Sequence, residues 1–233
     1  MKPLRVLLFD VFGTLVDWRG SLIELGRRTG ERAGVHADWA AIVDDWRRAY
    51  QPAMDRVRHG EQWRDLDSLQ RGTLADVLAR HGTELAEADR ESLVMGWRQL
   101  RPWPDSRDGL ARLRRQHITA TLSNGHLALL ADLLKFADLR VDALLSAQLA
   151  GGYKPDPGVY LTALRLLSCE PGEAGMVAAH PSDLRAAAAL GLRPLFVRRP
   201  LEWGPGAEPA AAPGLDGLID AADLGELAGA LGC

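Results

Sequence analysis

The sequence predicts an α/β fold in which a long helical insertion follows the first strand of a parallel sheet. Three observations support this prediction. Short, continuous apolar runs recur along the chain, stretches with helical periodicity separate them, and residues 16–101 show helical patterns only. Such runs are typical of strands that are buried on both faces of a sheet, and their alternation with helices is typical of α/β proteins.

The apolar runs define the predicted strands. They read VLLF, ITATL, MVAA and PLFV, at residues 6–9, 118–122, 176–179 and 194–197. The stretch SRDGLARLRRQ before the second run and DLRAAAALGL after the third have the apolar spacing of helices, and Gly191 is a typical residue just beyond a helix end. Together these elements predict a Rossmann-like parallel sheet core.

The helical insertion is predicted to form a separate domain. DWAAIVDDWRRAYQPAMDRVRHG and LDSLQRGTLADVLARHG carry apolar residues three and four positions apart, and RPWP suits a return linker. We therefore expect a core domain of residues 1–15 and 102–233 and a helical cap domain of residues 16–101. The Pro/Gly/Ala-rich residues 204–217 are interpreted as a surface loop without a functional role.

Composition restricts the classes of function. Of 233 residues, 47% are apolar and 25% are charged, as in ordinary soluble domains. The formal net charge of -3 gives no broad basic surface, so we expect no nucleic-acid partner. Cys169 and Cys233 are too few for a disulfide framework, which favours a cytoplasmic location. The short apolar run before Asp10 predicts neither a signal peptide nor a membrane span.

Polar residues follow the predicted strands at the edge where ligands bind in open parallel sheets. They are Asp10 with Thr14, Ser123-Asn124-Gly125, Lys154 in GGYKPDPGVY, and His180 with Asp183 in AAHPSDL. Each has an ordinary structural explanation when taken alone. Asp10 and Asp183 are typical helix-cap or turn residues, Ser123-Asn124 is a common turn, and Lys154 suits a solvated loop.

The order and context of these motifs are more specific. FDVFGTLVDWR, LSNG and YKPDPGVY resemble the haloacid dehalogenase superfamily and, within it, the L-2-haloacid dehalogenases (type II). The similarity runs through all four motifs and through the inserted helical cap. It implies that small 2-haloalkanoic acids, fluoroacetate among them, are hydrolysed to 2-hydroxy acids with neither a metal nor another cofactor.

Phe12 distinguishes this reading from a phosphatase. In the phosphatase branch of the superfamily, the residue two positions after the nucleophile is usually a second Asp, which protonates the leaving oxygen. A halide leaves as a stable anion and needs no proton. Two alternatives stay open at this point: a superfamily phosphatase that acts on a small phosphoester, and a non-catalytic binding protein on the same fold.

The resemblance assigns catalytic roles to core residues. It implies that Asp10 attacks the α-carbon and forms an aspartyl ester, which water then hydrolyses. Thr14 would orient Asp10, and Lys154 would keep it ionised through its opposite charge. Asp183 would anchor Lys154 and help to position or deprotonate the hydrolytic water.

Further residues are expected to bind the substrate. Ser123, with backbone amides near Val11 and Phe12, would hold the substrate carboxylate. For the halide, the family places an Arg directly after a Trp in the cap, which Arg47 matches, and Asn124 would be its partner on the core. For three residues of the predicted set a structural role is also open. Arg47 could lie on a solvated helix face. Trp63 lies near a position where the family has a halide-contacting aromatic residue but could simply pack, and Tyr160 matches a family Tyr that supports the site but could be a core residue.

The last motif departs from the usual family pattern. Better-known members have Ser-x-Asn before the final Asp, whereas this chain has Ala178 and His180. The resemblance associates the His variant with members that act on fluoroacetate. His180 could act on the leaving halide, act on the hydrolytic water, or only cap the following helix. Family members are often homodimers, so a homodimer is the expected assembly.

Overall fold

The computed structural model describes residues 2–233, in which strands and helices alternate around a parallel sheet. The strands are β1 (Val6–Phe9), β2 (Val16–Asp17), β3 (Arg101–Pro102), β4 (Ile118–Thr121), β5 (Ala174–Ala178), β6 (Arg193–Val197) and β7 (Ile219–Ala221). The helices are α1 (Trp18–Ala33), α2 (Trp39–Arg58), α3 (Leu66–Arg80), α4 (Glu87–Met95), α5 (Ser106–Leu113), α6 (Leu127–Ala137), α7 (Pro157–Leu166), α8 (Pro181–Ala189) and α9 (Leu224–Ala230).

The main sheet has five parallel strands in the order β4-β1-β5-β6-β7. All four residues of β1 are fully buried, and β4 and β5 flank the strand on its two edges. In the register, Leu8 lies beside Ala120 on one side and Met176 on the other. The predicted α/β fold is confirmed, and all four predicted strands are present with ends that differ by up to two residues.

Helices α1 to α4 follow β1 in the chain and pack against one another, as the helical patterns predict. The structure differs from the prediction at the two ends of this insertion. There β2 pairs antiparallel with β3, so that Val16 lies opposite Pro102 and Asp17 opposite Arg101. Strands of two residues carry no detectable periodicity. The division into two domains at residues 16 and 101 stays a prediction.

Two further observations concern expectations from composition. Within residues 2–233, no helix is both long and apolar enough to cross a bilayer. Cys169 is buried, Cys233 is partly exposed, and both are free thiols.

Candidate active site

Asp10 lies directly after β1, at the carboxyl edge of the sheet, and three side chains from other parts of the chain converge on it. Its Oδ2 accepts a hydrogen bond from the Thr14 hydroxyl at 2.7 Å and lies 3.0 Å from His180 Nδ1. Its Oδ1 accepts a hydrogen bond from Lys154 Nζ at 2.9 Å. The Asp10 side chain is therefore held by three side-chain contacts, which a turn or a helix cap does not require.

The turn after β1 brings these groups together. Thr14 Oγ1 also accepts a hydrogen bond from the backbone amide of Ala179 at 3.0 Å, so one hydroxyl joins the ends of β1 and β5. Gly13 has φ of +83°, a conformation that favours glycine. A Cβ atom at this position would lie only 2.2 Å from Glu202 Oε1. The glycine therefore both allows the turn and admits Glu202 to the site.

Lys154 links Asp10 to Asp183. Its Nζ lies 2.5 Å from Asp183 Oδ2, and the Tyr160 hydroxyl donates to Asp183 Oδ1 at 2.5 Å. The backbone amide of Lys154 donates to Asn124 Oδ1 at 2.7 Å, which fixes the loop. Lys154 is only 7% exposed, so it is not a solvated loop lysine. Asp183 binds side chains rather than capping α8, and Tyr160 contributes a polar contact as well as packing.

The charges around Asp10 oppose the effect of its burial. Burial alone would raise the pKa of the Asp10 carboxyl, but Lys154, and after it His180, hold that pKa well below its usual range. Burial would likewise lower the pKa of Lys154, yet Asp10 and Asp183 raise it. At Asp183, burial is the largest effect and, with the charge of Asp10, raises the pKa of the carboxyl. The site thus pairs an ionised carboxylate with one that binds a proton more readily.

His180 bridges two carboxylates. Its Nδ1 faces Asp10 and its Nε2 lies 2.9 Å from Glu202 Oε1, which also accepts a hydrogen bond from Trp18 Nε1 at 3.1 Å. Burial would lower the pKa of His180, but the charge of Glu202 and hydrogen bonds to both carboxylates raise it to about 10. His180 occupies the N-cap position of α8, but its side chain makes no capping hydrogen bond.

A cavity of about 340 Å³ opens onto this cluster. It is lined by Asp10, Phe12, Arg47, Arg48, Tyr50, Gln51, Asn124, Lys154, Pro155, Tyr160, His180, Ser182, Asp183 and Trp203. The lining thus combines residues of α2 with residues that follow the strands of the sheet.

Arg47 reaches this cavity from α2. Its guanidinium lies 4.5 Å from the ring centroid of Tyr50 and 5.4 Å from that of Trp18. Its Nε is buried and has no hydrogen-bond partner within the described chain. Burial raises the pKa of the Tyr50 phenol to about 12, so this residue stays a neutral donor. Arg47 is therefore a cation on the cavity wall, not part of a solvated face.

The predicted substrate-binding residues differ in their placement. Phe12 lies on the cavity wall and packs edge-on against Trp97 at 5.4 Å. Val11 and Ser123 are fully buried behind the wall, and Ser123 Oγ accepts a hydrogen bond from the Gly125 amide. In residues 2–233, the backbone amides of Val11 and Phe12 have no assigned protein acceptor.

The structure does not bring Trp63 to the cavity. Its ring stacks on Tyr153 at 6.4 Å between centroids, and it is not among the residues that line the cavity. Trp63 was expected there only because it lies near a position where the family has a halide-contacting aromatic residue, and nearness in sequence does not determine the direction of a side chain. The packing interpretation of Trp63 is the one that agrees with its position.

Residues at this site that were not predicted from the sequence include Tyr50 and Trp203, which line the cavity, and Glu202, which contacts His180. Tyr50 lies one turn beyond Arg47 on α2, so helical spacing from Arg47 could have identified it. Glu202 and Trp203 lie just before residues 204–217, in a stretch without periodicity or a motif. No sequence signal marks them.

The donor set does not suit a divalent cation. Lys154 Nζ occupies the space between the two carboxylates, at 2.9 Å from Asp10 Oδ1 and 2.5 Å from Asp183 Oδ2, so an ammonium already balances their charge. Within residues 2–233, no group of three His, Cys, Asp or Glu side chains is arranged to hold a metal ion.

Comparisons with known proteins point to one group of enzymes. Residues 4–191 match the model of the haloacid dehalogenase-like hydrolase family. The (S)-2-haloacid dehalogenase 4A of Burkholderia cepacia is 28% identical over 202 residues, which cover 85% of each chain. A solved L-2-haloacid dehalogenase is 47% identical with a TM-score of 0.91, over 98% of this chain and 99% of that one. A solved defluorinating L-2-haloacid dehalogenase is 36% identical with a TM-score of 0.95, over 99% and 96% of the two chains.

Proposed function

The chain belongs to the haloacid dehalogenase-like hydrolase family, and we propose that it hydrolyses small 2-haloalkanoic acids to 2-hydroxy acids through an ester of Asp10. One observation carries the proposal. The Lys154 ammonium lies between Asp10 and Asp183 while Phe12 replaces the acid that a phosphoester would require. This arrangement supplies an ionised nucleophile without a general acid for an oxygen leaving group.

The first step is displacement of halide by Asp10. Oδ2 already accepts hydrogen bonds from Thr14 and His180, whereas Oδ1 accepts one, from Lys154. Oδ1 therefore has the more available lone pair and attacks the α-carbon as the carbon–halogen bond breaks. The halide departs with the bonding electron pair, and because Oδ1 attacks from the side opposite the halogen, the carbon is inverted.

Arg47 and Asn124 are proposed to receive the halide. Both line the cavity, and the guanidinium of Arg47 provides charge on the side opposite the sheet. A fixed cation stabilises developing negative charge most effectively where water is excluded. Binding of the substrate carboxylate by Ser123 and the amides of Val11 and Phe12 stays a prediction. The two amides support it because they have no assigned protein acceptor.

The second step is hydrolysis of the ester. Asp183 is the base in this proposal, because the same burial and neighbouring charge that raise its pKa increase its affinity for a proton of water. Lys154, at 2.5 Å from Asp183 and 2.9 Å from Asp10 Oδ1, is positioned to pass a proton to the product oxygen. Tyr160 holds Asp183 in place through its hydroxyl.

The range of halogens is part of the proposal. The relative described as defluorinating is 36% identical to this chain, which supports including fluoroacetate among the substrates. The relatives named (S)-2-haloacid dehalogenases support a preference for that enantiomer.

A cytoplasmic homodimer is proposed on the resemblance alone, and light scattering after gel filtration tests the assembly.

A halide-release screen tests the function. It would measure ion release from fluoro-, chloro- and bromoacetate and from both 2-chloropropionate enantiomers, with Asp10→Asn as the inactive control. We expect release from the haloacetates and from the (S) enantiomer. Hydrolysis of an aryl phosphate with Mg²⁺, without halide release from any haloacid, would contradict the proposal.

A further inference from the structure

We propose that His180, as an imidazolium, and the Thr14 hydroxyl form an oxyanion hole for hydrolysis of the Asp10 ester, and that Glu202 is the positioning residue for His180. This inference rests on the proposed function, because it concerns the second step of the same reaction. It assigns a task to a buried carboxylate that the reaction described above does not use.

The two oxygens of Asp10 differ in their surroundings. Oδ2 has a donor on each side, Thr14 Oγ1 at 2.7 Å and His180 Nδ1 at 3.0 Å. When Oδ1 attacks the substrate, it becomes the bridging oxygen of the ester, and Oδ2 becomes the carbonyl oxygen. The donors therefore already point at the atom on which negative charge develops when water attacks, as an oxyanion hole requires.

The hydrolysis step balances with groups already at the site. The water oxygen bonds to Cγ of Asp10 as the carbonyl electron pair moves to Oδ2, and Asp183 takes the water proton. The pair then returns, the bond from Cγ to Oδ1 breaks, and the product oxygen takes a proton from Lys154. Asp183 next returns its proton to Lys154, and the Asp10 carboxyl releases the second water proton to solvent, so the free enzyme is restored.

Hydrogen bonding alone requires His180 to carry both ring protons. Nδ1 faces Asp10 Oδ2 and Nε2 faces Glu202 Oε1, and ionised carboxylates only accept. A neutral imidazole would leave one of these contacts without a proton. The raised pKa of His180, about 10, agrees with this geometry. Once Asp10 is esterified it is neutral, so Glu202 becomes the main anion that keeps His180 charged.

Glu202 is built into the fold for this position. It is 5% exposed, Trp18 Nε1 holds its Oε1 at 3.1 Å, and the missing side chain of Gly13 leaves space for it. Burial would raise the pKa of the Glu202 carboxyl, but His180, and after it Arg47, lower that pKa. The charged groups in contact with His180 are Asp10 and Glu202, and the other charged residues that line the same cavity are Arg47, Arg48, Lys154 and Asp183.

The geometry disfavours a role for His180 as the base that activates water. A base needs a free lone pair on a ring nitrogen, and both nitrogens lie at 3.0 Å or less from carboxylate oxygens. The same contacts leave no N–H free to bind a leaving fluoride. The two roles predict opposite pH dependence, because an oxyanion donor must be protonated and a base must not be.

Single-turnover kinetics with Glu202→Gln test the inference. Rapid quenching with excess enzyme and chloroacetate separates chloride release from decay of the ester, which mass spectrometry of the intact protein follows. We expect the amplitude of chloride release to be unchanged and the ester to decay about 10- to 100-fold more slowly above neutral pH. The fall of the decay rate with rising pH should move to lower pH, because His180 loses its counter-charge.

Three controls define the outcome. Glu208 is exposed in the same loop, so Glu208→Gln should match the wild type. Glu202→Asp keeps the charge and should therefore recover much of the wild-type pH profile. In His180→Gln, ester decay should be slow and independent of pH in this range. Thermal melting checks that each variant is folded.

Two results would overturn the inference while leaving the proposed function intact. The first is chloride release followed by ester decay that Glu202→Gln does not alter. The second is an ester decay rate in the wild type that rises with pH as His180 loses its proton. Absence of chloride release from the wild type would instead contradict the proposed function itself.

Discussion

Lys154 is the residue on which the charge balance of the site depends. It is buried, yet it stays charged because two carboxylates lie within 2.9 Å of its ammonium. Buried charges are stable only when they are paired, and each partner here gains from the arrangement. Asp10 stays ionised, and Asp183 is held on the other side of the ammonium.

Replacing Lys154 should change how activity depends on pH. In Lys154→Gln the burial of Asp10 is no longer fully offset, so the pKa of its carboxyl rises. Since only ionised Asp10 attacks, halide release should fall as the pH decreases through this raised pKa, whereas the wild type keeps Asp10 ionised there. Profiles of kcat/KM between pH 4 and 9 measure the shift of this acid limb. At neutral pH we expect kcat/KM of the variant to be about 100-fold or more below that of the wild type.

The exposed Lys135→Gln is the matched control and should leave the profile unchanged. An identical acid limb in the wild type and Lys154→Gln would show that Lys154 does not control the ionisation of Asp10.

Arg47 is the second residue at which the effect of a charge on halide release can be tested. Its guanidinium lies on the cavity wall against Tyr50 and Trp18. Loss of a charge-assisted hydrogen bond costs about 1.5–3 kcal/mol, which is about one to two decades in rate. We expect Arg47→Met to slow the halide-release step by this factor. Arg56→Met, on the exposed face of the same helix, should be neutral, and equal rates in both variants would assign Arg47 to packing.

The residues that could be predicted from sequence are those in motifs with fixed spacing. Asp10, Thr14, Lys154 and Asp183 belong to such motifs, and the structure brings them together. Glu202 could not be predicted, because its contact with His180 exists only after β5 and β6 are placed side by side. Trp63 shows the converse case, since resemblance to a family position suggested a halide contact whereas its ring stacks on Tyr153.

At the level of secondary structure, the turn between β1 and β2 does more than connect the strands. It supplies Thr14 to both Asp10 and Ala179, and it leaves space for Glu202 beside Gly13. The pairing of β2 with β3 brings the end of the helical insertion back beside its beginning. These short pairings could not be predicted, because two residues show no alternation that could be recognised.

Gly13→Ala tests the turn, with Gly34→Ala as its control. Both glycines have positive φ, but an added Cβ at Gly34 meets nothing within 4 Å, whereas at Gly13 it meets Glu202. Each variant should lose about 1–2 kcal/mol of stability from backbone strain, measured by urea unfolding. Only Gly13→Ala should also lose activity, because Glu202 is displaced from His180. Full activity in a folded Gly13→Ala would contradict the role of this turn.

For the whole molecule, the parallel sheet explains why distant residues form one site. The carboxyl ends of β1, β4, β5 and β6 lie along one edge, and α2 reaches over that edge from the insertion. The repeated apolar runs determine this order of elements, so the fold class could be predicted. The approach of the insertion to the edge depends on side-chain packing, as between Phe12 and Trp97, which no local pattern reveals.

The whole reaction should proceed without a divalent cation. The Lys154 ammonium occupies the position between the two carboxylates where a cation would otherwise balance their charge. Chloride release from chloroacetate should therefore be the same before and after treatment with excess chelator, and after addition of Mg²⁺. Activity that chelation abolishes and Mg²⁺ restores would contradict this assignment.

The ester of Asp10 is the central claim, and a single turnover in water enriched in heavy oxygen tests it most directly. With enzyme in excess over chloroacetate, the water oxygen should enter the Asp10 carboxyl, and the glycolate should carry unlabelled oxygen from the enzyme. Trypsin cleavage after Arg5 and Arg19 isolates residues 6–19, in which fragmentation separates Asp10 from Asp17. Label in Asp10 and unlabelled product is the predicted result; labelled glycolate with unlabelled Asp10 in the first turnover would contradict the ester mechanism.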